Sequence, residues 1–86
     1  MEITKDKVAK KLLSYLQNKT PLAELVDWAE NSIMSSDFQE GNEKILREVL
    51  GKLGLADVKE FGLSWEDCEK MMRKLGYKIK VDATAA

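Results

Sequence analysis

Leu63-Ser64-Trp65-Glu66-Asp67-Cys68-Glu69-Lys70-Met71-Met72-Arg73-Lys74-Leu75-Gly76 is the stretch on which the fold turns. Ser64 has the side chain of a helix N-cap, a hydroxyl that accepts from an amide of the first turn. Asp67 stands where a carboxylate can reach back to the cap's own amide, with a shorter arm than the usual glutamate. Leu63, just before the cap, can fold onto Cys68 as a hydrophobic staple. Cys68, Met71, Met72 and Leu75 then recur at helical spacing and form one apolar face. Gly76 supplies the residue type that closes such a helix. Past it the period changes from that of a helix to that of a strand. Tyr77, Ile79 and Val81 alternate with Lys78 and Lys80, which predicts a short, half-buried C-terminal strand.

Upstream of this stretch the chain reads as more helices. Asp57 to Phe61 suggests a short helical turn stopped at Gly62. Before it, Ile45, Leu46, Val49, Leu50 and Leu53 define a helix that is expected to end before Gly54, with Leu55 folding back on its last turn. Two starts compete for that helix, Ser36 with Gln39 at capping-box spacing and Asn42. Thr20-Pro21 opens a further helix, because proline at the first helical position forfeits no hydrogen bond. Its face is Leu22, Leu25, Val26, Ala29 and Ile33, flanked by Trp28. At the N-terminus Thr4 is the expected cap and Ile3 the staple onto Val8. Val8, Leu12, Tyr15 and Leu16 continue that helix, with Lys5, Lys7, Lys10 and Lys11 over much of the rest. The short connection at Asn18-Lys19 makes the first two helices an antiparallel hairpin. The expected fold is therefore mainly α: a compact bundle of four main helices, a short extra helical turn and one short C-terminal β-strand. Residues 1–82 are read as a single helical domain and 83–86 as a frayed tail.

Composition narrows the function classes. The chain has 86 residues, 44% of them hydrophobic and 34% charged, with a formal net charge of -1. That is one domain's worth of chain, too apolar for intrinsic disorder. A lone cysteine, Cys68, excludes an intramolecular disulfide framework. No apolar run approaches the length needed to span a bilayer, and the charged N-terminus does not read as a signal peptide. A cytoplasmic protein is the expectation, with no membrane partner.

Histidine is absent, which removes both the usual general base near neutral pH and the commonest transition-metal ligand. Cys68 has no imidazole to hold it as thiolate, and its phase with Met71, Met72 and Leu75 makes it a packing residue. Asp37, Glu40 and Glu43 surround Gly41, but the EF-hand register fails, since it would place Phe38 at a ligand position. Paired helix carboxylates such as Asp27 with Glu30, or Glu66 with Asp67, read as solvated. No phosphate loop, dinucleotide fingerprint or zinc pair occurs. The expectation is a protein that is not an enzyme, with no cofactor, no metal and no small-molecule substrate.

Two surfaces remain as candidates. Lys70, Arg73, Lys74, Lys78 and Lys80 outnumber Glu69 and Asp82 in the C-terminal segment. With a short helix and a tight connection before it, segment 64–81 has the outline of a helix-turn-helix with the first arm of a wing. Against this, the chain is not basic overall, and the recognition helix of such a motif would begin with Glu66, Asp67 and Glu69, which repel phosphates. The second surface is apolar. Trp65, at the first position after its cap, is either a core anchor or an exposed aromatic for a partner. Tyr77, Ile79 and Val81 present one face of a strand whose backbone needs something to pair with: the loop near Phe38, a symmetry mate, or another protein. The expected function is a small protein-interaction or regulatory module, an inhibitor or accessory subunit. It would act on another protein or on itself as a homodimer. The alternative is nucleic-acid binding through the basic C-terminal segment.

Overall fold

The computed structural model describes residues 2–35, 37–58 and 62–79. They form four helices: α1 Lys5–Leu16, α2 Leu22–Ser35, α3 Glu43–Gly54 and α4 Trp65–Lys74. One apolar cluster holds them together, with Val8 and Leu12 from α1, Leu25 and Ala29 from α2, Leu46, Leu50 and Leu53 from α3, and Cys68 and Met71 from α4 all buried. Among the described residues no buried side-chain polar atom lacks a hydrogen-bond partner. The helical part of the expected fold is what the structure shows.

Local chemistry sets most helix ends. Thr4 caps α1, its hydroxyl accepting from the Lys7 amide, and Ile3 and Val8 on either side of the cap are both buried. After α1, Asn18 takes a left-handed φ of 60°, a conformation asparagine tolerates better than most residues. The following turn is fastened by a 2.8 Å bond between the Ser14 and Thr20 hydroxyls. Proline at position 21 lies one residue before α2, not inside it. Its carbonyl accepts the first helical bond, from the Leu25 amide. Of the two starts for α3, Asn42 is the one used, although its side chain makes no capping bond.

The end of α3 departs from the sequence expectation. The helix continues through Gly54, which does not adopt a positive φ, and Leu55 follows as the cap. The glycine lies within the helix, on the side that meets α2. A Cβ at Gly54 would lie 3.4 Å from Glu30 Cγ, and one at Gly51 would lie 3.9 Å from Ile33 Cδ1. The two glycines thus line the seam along which α2 and α3 approach, and α2 packs far more extensively on α3 than on α1.

Beyond α3, Val58 bonds back to Leu55 and the Gly62 amide donates to the Val58 carbonyl. The rest of the expected extra turn, residues 59–61, lies outside the described residues. α4 begins with the capping box in full: the Ser64 hydroxyl accepts from the Asp67 amide, and the Asp67 carboxylate accepts from the Ser64 amide, each at 3.1 Å. These bonds, with Lys52 at 3.3 Å, hold the Asp67 carboxyl below its usual range. A depressed aspartate contributes stability that is present above its unfolded pKa of about 3.9 and lost as pH falls through the lower folded value. Ser64→Ala is expected to cost about 1 kcal/mol at neutral pH, and Asp67→Asn to flatten the acid limb of a stability profile. Denaturant melts between neutral pH and about pH 2 test both; an unchanged Ser64→Ala midpoint would show that the cap carries no weight.

The C-terminal strand is not seen among the described residues. Gly76 has φ +91°, and its amide donates to the Arg73 carbonyl while the Tyr77 amide donates to Met72. This double closure is a Schellman motif. It commits the Tyr77 amide to the helix end, where a strand would need it for a neighbouring chain. Lys78 and Ile79 have no ladder partner among the described residues, and Lys80 and Val81 lie outside them. The pairing near Phe38 is supplied from elsewhere: Ile3 forms an isolated parallel bridge with Phe38. The Ile3 amide donates to Asp37 at 2.7 Å, and the Gln39 amide donates to the Ile3 carbonyl at 2.8 Å. The Lys5 amide adds a bond to Gln39 Oε1. The chain's own beginning therefore occupies the loop edge that the C-terminus was expected to seek.

Candidate interaction surface

α4 carries both candidate surfaces, one at each end. At its start, Trp65 is 45% exposed. Leu63, two residues earlier, is partly buried and packs on the core. The capping box fixes the backbone between them, so the indole stands on a helix end that cannot fray cheaply. At that exposure Trp65 is not a buried core anchor.

At the other end two of the basic candidates, Arg73 and Lys74, carry ion pairs. Arg73 pairs with Glu69 at 2.9 Å, one helical turn away. Lys74 forms an ion pair with Glu48 on α3, which keeps the Glu48 carboxyl below its usual range. Lys52 pairs with Asp67. Glu48, Lys52, Lys70, Arg73 and Lys74 rim a cleft of about 260 Å³ between α3 and α4, floored by Val49 and Met71. Lys70 and Lys78 are exposed and have no acidic partner among the described residues. Of the five basic candidates, Arg73 and Lys74 thus have carboxylate partners, and Lys80 lies outside the described residues. Glu48 and Lys52 were invisible as partners in the sequence, because which helix lies beside α4 is a matter of packing.

Of the expected strand residues, Tyr77 is 40% exposed and Ile79 is partly buried. The Tyr77 hydroxyl donates to Asp6 on α1 at 2.9 Å, and Asp6 also holds Lys10 at 3.0 Å. The carboxylate beside it raises the Tyr77 pKa; Lys10 first, then the Tyr77 hydroxyl, lowers that of Asp6. Ile79 packs against the core. Val81 and Lys80 lie outside the described residues. Two of the four apolar candidates, Tyr77 and Ile79, thus tie α4 to the body of the protein, while Trp65 and the ring of Tyr77 are the exposed ones among the described residues.

The remaining chemistry is sparse. Burial pushes the Cys68 thiol up to about 11, with Asp67 adding to the effect. At that value it is a neutral thiol at any ordinary pH. No group of three or more acidic, cysteine or histidine side chains among the described residues is placed to hold a metal ion. Nor is any helix among them long and apolar enough to cross a membrane. No family model, curated protein or solved structure matches the chain.

Proposed function

We propose that this protein is a non-enzymatic protein-interaction or regulatory module, an inhibitor or accessory subunit, that engages its partner with Trp65. The half-exposed indole on the first turn of a doubly capped helix carries this reading. Large aromatic side chains on rigid supports are the residues that contribute most to protein interfaces. The competing helix-turn-helix reading is weakened by ion pairing at two of its residues: Arg73 and Lys74 would each have to leave a carboxylate to reach a phosphate, and those carboxylates would remain beside it.

Capture from native host lysate on immobilised protein tests the proposal. Wild type is expected to retain a defined protein, and Trp65→Ala to lose it with an unchanged melt, because the side chain is only half covered. Retention of nucleic acid that weakens steeply with salt and depends on Lys70, Arg73 and Lys78 would overturn it in favour of the alternative.

A further inference from the structure

The first two helices carry opposite charge. α1 has Lys5, Lys7, Lys10 and Lys11 against Asp6, four minus one or +3; α2 has Glu24, Asp27 and Glu30 with no basic residue, or -3. A groove of about 350 Å³ runs between them, lined by Ile3, Lys7, Lys10, Lys11, Ser14 and Trp28. It exists because α2 lies close along α3 and only lightly on α1. Its base is apolar, with Ile3 and the partly buried Trp28, and its α1 rim is basic.

The charges inside one molecule are incompletely matched. Lys10 has Asp6. Lys11 lies 3.8 Å from Glu24 and 6.0 Å from the Trp28 ring centroid. The Lys7 ammonium donates only to the backbone carbonyl of Glu2. On α2, Glu24, Asp27, Asn31 and Met34 follow one another at helical spacing along the exposed ridge. Asp27 has no ion pair among the described residues, and Met34 is 71% exposed. A basic groove with an apolar base thus sits directly beside an acidic ridge with an apolar end.

We infer that this protein forms a two-fold homodimer in which the α2 ridge of each copy lies in the α1–α2 groove of the other. A two-fold axis next to α2 delivers both contacts at once, since an isologous interface needs one self-complementary patch. Asp27 of the second copy then faces Lys7 and Lys10, and its Met34 covers Trp28 and Ile3. Opposite charge on the two patches also disfavours the docking of like helices. The inference does not depend on Trp65, which lies on α4, outside this groove.

Sedimentation of the full chain from low micromolar to millimolar concentration tests it, at low and at high salt. Wild type is expected to dimerise, more weakly at high salt because rim ion pairs are screened. Asp27→Lys should weaken the dimer tenfold or more with helicity and melt retained, since Asp27 is exposed. Adding Lys7→Glu to Asp27→Lys reverses both partners of the contact and should restore association. A wild type that stays monomeric throughout overturns the inference, whether its groove then takes an acidic peptide or nothing. A dimer indifferent to Asp27→Lys, or a double variant no better than the single, overturns it as well.

Discussion

Leu50→Ala is expected to remove about 3–4 kcal/mol of unfolding free energy, the largest loss of any conservative truncation in this protein. Leu50 is fully buried near the middle of α3, the helix whose other side is pressed along α2. Truncation forfeits the transfer free energy of the lost carbons and leaves a void, and the void closes only if neighbouring helices move. Here the neighbours are constrained, because α2 packs extensively along α3. A chain of this length typically holds about 4–13 kcal/mol in total, so the variant should sit near the edge of folding. Urea melts followed by circular dichroism read the effect. A loss below about 1 kcal/mol would mean that α3 is not the central helix of the core.

Ile3→Ala should cost about 2–4 kcal/mol, an unusually large effect for a residue so near a chain end. Terminal residues are ordinarily poorly ordered unless tied down. Ile3 is tied twice. Its side chain is 4% exposed and packs beside Val8 in the core cluster, and its amide and carbonyl both bond to the Asp37–Gln39 segment. The alanine variant keeps the backbone bonds but loses the anchor that holds them dry. The same urea melts measure it. A variant as stable as wild type would show that the bridge does not fasten the N-terminus.

What could be read from the sequence was what is decided within a few residues. The Ser64–Asp67 box, the Thr4 cap and the left-handed Gly76 depend on atoms three to five residues apart, and each stands where the spacing put it. The misread glycine at position 54 is instructive. A glycine after a leucine near a helix end fits either a left-handed cap or a close helix crossing, and only the position of α2 decides between them. The alternation from Tyr77 to Val81 yields no strand among the described residues for a related reason. Period two marks which side chains are wet, but the Tyr77 amide had already been claimed by Met72. At the candidate surface, the exposure of Trp65 was left open because an N-terminal helix position does not say what packs opposite it. The pairing of Lys74 with Glu48 spans twenty-six positions, beyond the reach of any local rule.

The Ile3–Phe38 bridge also orders events in time. α2 and α3 are neighbours in sequence, and their seam can assemble by closing a connection of only a few residues. The bridge, by contrast, closes a loop of thirty-five residues, whose entropic cost must be met before its two hydrogen bonds return anything. The bridge is therefore expected to close after the α2–α3 seam and to open before it. Faster hydrogen exchange at the Gln39 amide than at amides in the middle of α3 would show it.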